Sequence, residues 1–204
     1  MLKIAVTGGI ACGKSLTGAM LADLGMDVRE ADDIARELMR PGADVYMQVI
    51  SEFGLEMTDG DGKIDRRKLA DVIFSSSQDR TRLNRIVHPA VMNTLDLWLQ
   101  AEEMSTCVEG AVAVVPLLYE AGGGRGWDAV ICVASERSSQ ISRLAGRGLC
   151  YEDAVRRIDA QMDVEEKAVR SDYVIRNEGD KESLRKQINR VMRNIRRQKY
   201  GSKK

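Results

Sequence analysis

The chain has 204 residues, 44% of them apolar and 30% charged, enough for one large domain or for a core with inserted subdomains. Lys plus Arg and Asp plus Glu stand at 31 each, so no global field argues for nucleic acid or a membrane surface as partner. No run approaches the roughly 20 apolar residues of a membrane span, and the first residues enter a strand without a charged leader.

That first strand, Leu2 to Thr7, is short, apolar and β-branched. It runs into Gly8-Gly9-Ile10-Ala11-Cys12-Gly13-Lys14-Ser15, which has the spacing of a phosphate-binding loop. Small residues let the main chain curl until its N–H groups converge on a polyphosphate. Lys14 supplies a mobile charge for the outer phosphates, and the Ser15 hydroxyl a ligand for Mg²⁺. Leu16, Met20 and Leu24 recur every four residues and mark a helix whose positive end adds to the attraction. Strand, loop and helix together predict a nucleoside triphosphate site.

A second strand, Met26 to Arg29, leads into Glu30-Ala31-Asp32-Asp33, carboxylates at the end of a strand where open α/β sheets place ligands. Asp32 is suited to orient an acceptor hydroxyl and take its proton, or to cap the next helix. From Ala43 to Glu103 the pattern is helical. Asp59-Gly60-Asp61-Gly62 reads as a surface turn: no apolar strand precedes it, and a calcium loop there would have Met57 and Lys68 at its first and twelfth positions. Arg66, Arg67, Leu69, Val72, Ile73 and Phe74 predict a helix, and Leu83 to Trp98 continue helical spacing past His88-Pro89. Pro89 either kinks one long helix or opens a new one. His88, the single histidine, suits a structural or a functional role.

Strand character returns from Val108 to Val115 and ends at Pro116-Leu117-Leu118-Tyr119-Glu120, followed by a glycine-rich loop, Gly122 to Gly126. Asp128 to Ala134 is a buried strand, Ile141, Leu144 and Ala145 mark a helix, and Arg143 and Arg147 share its face by spacing. Tyr173 to Ile175 is a last strand before Asn177-Glu178-Gly179 and a closing helix with a basic, solvated end from Arg190 to Lys204. Cys12, Cys107, Cys132 and Cys150 lack metal-ligand spacing; Cys107 and Cys132 read as small core residues, and the natural compartment is a reducing cytoplasm. Five strands alternating with helices predict an α/β three-layer P-loop NTPase fold with a five-stranded parallel sheet. Its core would be residues 1–31, 104–135 and 167–204, with a helical acceptor-binding insert at 32–103 and a lid at 136–166. Arginines on the lid would offset phosphate charge while closure excludes water, which favours phosphoryl transfer to a small molecule.

Over nearly its whole length the chain resembles the dephospho-CoA kinase family. The matching pieces are Thr7-Gly8-Gly9-Ile10 with Gly13-Lys14-Ser15, Ala31-Asp32 with Ile34-Ala35-Arg36, and Ile64-Asp65-Arg66 with Leu69 and Phe74. His88-Pro89, Val115-Pro116-Leu117-Leu118 with Glu120, Arg143 with Arg147, Arg157-Ile158 with Gln161, and Asn177 with Gly179 complete them. The resemblance implies transfer of the ATP γ-phosphate to the 3′-hydroxyl of dephospho-CoA, with Mg²⁺, by a cytoplasmic monomer or small homo-oligomer. Asp32 would be the general base, Lys14 and Arg143 would assist catalysis, and Ser15 would bind the metal. Gly8, Gly9, Ile10, Ala11, Cys12, Gly13, Lys14, Ser15, Leu16 and Arg147 would hold ATP, with Asn177 placing the adenine. Arg66, His88, Pro116 and Leu117, with Asp32, would meet the acceptor.

Three positions depart from the family pattern. Ala11-Cys12 replaces Gly-Ser, and Ala11 takes positive φ less cheaply. Cys12 lies by a helix N-terminus and a lysine, conditions that lower a thiol's pKa, so its modification is expected to inhibit and ATP to protect. Glu30 stands where aspartate is common. The rival readings are a P-loop kinase for another hydroxyl compound and a nucleotide-dependent switch; against the switch, the chain has no Asn-Lys-x-Asp motif.

Overall fold

The computed structural model describes residues 1–105, 108–124 and 126–201, apart from the side chains of Arg66 and Phe74. The expectations for Cys107, Arg125, Lys203 and Lys204, and for the Arg66 side chain, lie outside the described residues.

Apolar, β-branched runs form five strands: β1 (Leu2–Gly8), β2 (Asp27–Glu30), β3 (Gly110–Val114), β4 (Ala129–Ala134) and β5 (Tyr173–Arg176). They make one parallel sheet in the order β2-β3-β1-β4-β5. Every residue of β3 and β4 is buried, as a parallel sheet requires when both faces are covered. β3 starts at Gly110 rather than at the predicted Val108. Helices α1 (Lys14–Ala22) and α9 (Lys181–Tyr200) share one core with the sheet, in which Leu21, Leu184, Ile188 and Met192 meet Leu2, Ile4 and Val6. The connections leaving β1 and β4 run in opposite directions, so the crevice at the ends of these neighbours is where such a sheet receives a ligand.

Two compact units emerge. One is Met1–Glu30 with Leu99–Lys204, and the other is Ala31–Trp98. The second unit is helical: α2 (Ala31–Leu38), α3 (Asp44–Phe53), α4 (Arg66–Ser75) and most of α5 (Ser77–Met104). The Asp65 carboxylate accepts from the N–H groups of Arg67 and Lys68 and so starts α4. Pro89 lies inside the continuous α5; of the two outcomes open from sequence, a fresh helix start is excluded. The Asp59–Gly62 stretch is a surface turn, in which Asp59 accepts from the N–H groups of Asp61 and Lys63. Three further helices of the first unit, α6 (Arg137–Ala145), α7 (Tyr151–Asp159) and α8 (Val164–Arg170), fill the stretch between β4 and β5.

Candidate active site

The loop after β1 has its shape imposed by contacts that only particular residues satisfy. Gly8 has φ 142°, and a Cβ there would stand 2.0 Å from the Val133 carbonyl oxygen. Gly13 has φ 100°, and its Cβ would meet the Asn177 amide nitrogen at 2.3 Å. No side chain caps α1 at Gly13, which suits a helix start that receives an anion. The Lys14 ammonium donates to the carbonyls of Gly9 (2.8 Å) and Gly8 (3.4 Å). The Ser15 hydroxyl donates to Glu30 Oε2 at 3.1 Å, so a hydroxyl and a carboxylate converge as hard oxygen donors of the kind Mg²⁺ prefers.

Side chains distant in sequence then fix the far side of the loop. Arg143 donates through Nη1 to the Ala11 carbonyl (3.1 Å) and Ser135 Oγ (2.8 Å), and through Nη2 to the Asn177 carbonyl (2.6 Å). The Asn177 amide donates to the Cys12 carbonyl (2.9 Å), and the Ser135 hydroxyl to the Asn177 carbonyl (3.0 Å). Pinning two successive carbonyls fixes their peptide planes, and hence the direction of the Gly13 N–H. Ala11, at φ 59°, is the one non-glycine residue with positive φ among the described residues. It packs with Leu144 and Ala154, and Ile10 with the same cluster, so the loop backs onto α6 and α7.

Two expectations are corrected here. Helix α6 ends at Ala145, so Arg147 occupies the turn beyond it, exposed, and shares no helical face with Arg143. Cys12 is wholly buried, and burial pushes its thiol up, outweighing the lowering effects of Lys14 and of hydrogen bonds from Ser135 and Gly9. The thiol points into the core beneath the loop, which removes the basis for a reactive Cys12. Burial, with Cys12 nearby, also pushes Cys132 up to about 12.

In the second unit, an open cavity of about 1520 Å³ is lined by four cations, Arg36, Arg40, Lys63 and Arg67, by four carboxylates, Asp33, Glu37, Asp59 and Asp65, and by apolar groups such as Met39 and Ile73. Arg36 and Arg40 pair with Asp33 and Glu37 one turn earlier on α2. Asp32 is exposed in the first turn of the same helix. His88 is half-buried on α5, and Pro116 and Leu117 follow β3 half-buried in the first unit. Sequence reasoning missed Ser135 and Lys167. Ser135 is one small residue after a strand, and Lys167 sits among charged neighbours, two glutamates before it and Arg170 after it.

A pinned glycine loop, a hydroxyl–carboxylate pair beside it and a helical unit with a large cavity fit one class, the P-loop kinases that pass phosphate from a nucleotide to a second molecule. Residues 2–183 match the family model described as CoaE, dephospho-CoA kinase. A dephospho-CoA kinase of Geobacillus kaustophilus (strain HTA426) is 40% identical over 196 residues, 94% of this chain and 96% of that protein. The solved dephospho-CoA kinase from Campylobacter jejuni has a TM-score of 0.65 and 27% identity, covering 96% of this chain and 98% of that one. Shikimate kinase from Acinetobacter baumannii, in complex with shikimate, has a TM-score of 0.55 at 16% identity, covering 98% and 96%, and shares the fold alone. The chain belongs to the dephospho-CoA kinase family.

Proposed function

We propose that the protein transfers the γ-phosphoryl group of ATP to the ribose 3′-hydroxyl of dephospho-CoA, giving coenzyme A and ADP. The observation that carries this reading is the loop held by Arg143 and Asn177, in a chain whose helical unit offers a large cavity of mixed charge. That cavity exceeds the roughly 300–1,000 Å³ of ordinary ligand pockets and suits an elongated acceptor, with Arg67 as a cation for its pyrophosphate and apolar walls for its arm, while Arg36 and Arg40 are paired with Asp33 and Glu37.

In this reading residues 32–103 bind the acceptor, residues 136–166 form the lid, and the remainder binds ATP. Asp32 orients the 3′-hydroxyl and takes its proton as the new P–O bond forms and ADP leaves. Gly8 to Leu16 hold the phosphates, with Lys14 on the outer ones, while Arg143 and Asn177 shape the loop and Arg147 adds charge. Ser15 and Glu30 would hold Mg²⁺, which when bound neutralises charge on the phosphate oxygens. Arg66, His88, Pro116 and Leu117 contact the acceptor. Cys12, Cys132 and Cys150 are free, which suits a reducing cytoplasm, and no helix among the described residues is long and apolar enough to cross a membrane.

The test is ADP release with ATP and Mg²⁺, with and without dephospho-CoA, for the wild type and Asp32→Asn. Turnover should depend on the acceptor and fall roughly 10²–10⁴-fold in Asp32→Asn, with ATP affinity retained. Equal ADP release with and without dephospho-CoA would sink the proposal.

A further inference from the structure

Lys167, on α8, has a side chain that is 0% exposed. A lysine is found inside a protein almost only when paired. Its ammonium donates to the Pro116 carbonyl oxygen at 2.7 Å and lies 2.8 Å from Glu120 Oε1. The same carboxylate oxygen accepts the N–H of Met162 at 3.0 Å. The Pro116 carbonyl also accepts the Thr7 hydroxyl at 3.3 Å, from the residue just before the phosphate loop. One turn along α8, Ser171 donates to the Lys167 carbonyl at 2.8 Å and meets the Tyr119 hydroxyl at 2.8 Å.

One ammonium therefore joins α8 to the exit of β3 and, through Glu120, to the stretch that follows α7, while the Thr7 hydroxyl ties the same Pro116 carbonyl to β1. A buried ion pair of this kind adds little stability over apolar packing of the same volume. What it does impose is position, because each oxygen must stay within hydrogen-bonding distance of one nitrogen.

We propose that Lys167 is a positioning residue for the transfer, rooting the C-terminal end of the lid through Glu120 and the Pro116–Leu117 acceptor segment through the Pro116 carbonyl. The inference rests on the reading of residues 136–166 as a lid and of Pro116–Leu117 as an acceptor contact. A lid rooted at a fixed point closes in one register and keeps water from the γ-phosphate; a loosened root admits water, and ATP is hydrolysed to ADP and phosphate without product.

Lys167→Met strands the Glu120 carboxylate, so the double variant Lys167→Met/Glu120→Gln is needed as well. It removes both charges, and the side-chain amide oxygen it introduces still accepts from the Met162 N–H. ADP and phosphorylated product are measured together, with ATP affinity by equilibrium titration and the melting temperature. The double variant should bind ATP within about twofold of wild type, with turnover down roughly tenfold and ADP per product rising from near one to about three or more. Wild-type turnover and coupling in the double variant would overturn the role. So would a parallel loss of melting temperature and ATP binding in both variants, which assigns the pair to folding alone. A wild-type enzyme without acceptor-dependent turnover would overturn the underlying reading itself, before any variant is compared.

Discussion

Two sets of charged side chains, one in each unit, differ in what they hold. In the first, Arg143, Asn177 and Lys167 reach across 34 to 165 residues of sequence to grip main-chain carbonyls. In the second, Arg36, Arg40 and Arg82 pair with carboxylates at the surface, mostly within one helical turn. Gripping the backbone fixes a shape, whereas surface pairs leave side chains that rearrange at little cost. In the proposed function, the first arrangement would meet the invariant polyphosphate of ATP and the second a long, flexible acceptor.

The comparison breaks most sharply at glycine. Gly8→Ala combines an unfavourable φ with a backbone clash, whereas Gly42, at φ 87°, has nothing within 4 Å of where a Cβ would stand. Gly8→Ala should abolish ATP binding and cost roughly 2–5 kcal/mol, against about 1 kcal/mol for Gly42→Ala, read by titration and thermal melts. A smaller effect is expected in the cavity. Arg67→Ala should raise the KM for dephospho-CoA about 3–10-fold and leave ATP affinity unchanged, since one charged contact to phosphate is worth about 1.5–3 kcal/mol before solvent screening. An unchanged KM would detach the cavity from the acceptor.

The smallest effect probes the core beneath the loop. Cys132 has a thiol pKa raised from 9.0 to about 12, so the stability from its buried neutral form is fully present below pH 9 and is lost as pH rises toward 12. Cys132→Ala should therefore show a flatter decline of melting temperature between pH 9 and 11 than wild type. Parallel curves would show that burial does not raise the Cys132 thiol above its unfolded value.

What was legible in the sequence was local. The glycine spacing and the strand before it each act within a few residues, and each lies where the pattern put it. Burial was not legible: Cys12 has the neighbours of a reactive thiol, yet its side chain faces inward, which reverses the sign of its shift. Arg143 was visible as a cation near a phosphate loop, but its targets at Ala11 and Asn177 exist only once β1, β4 and β5 lie side by side. Lys167 follows two glutamates on a seven-residue helix, and nothing in that run distinguishes a buried lysine from a solvated one.

Ala11 carries one consequence further. A left-handed alanine is disfavoured by about 1–2 kcal/mol, and here the Arg143 bond to its carbonyl and the packing against Leu144 and Ala154 hold it in place. The left-handed turn at Ala11 is therefore set when the chain folds, and a nucleotide that binds there has no strain of that residue to overcome.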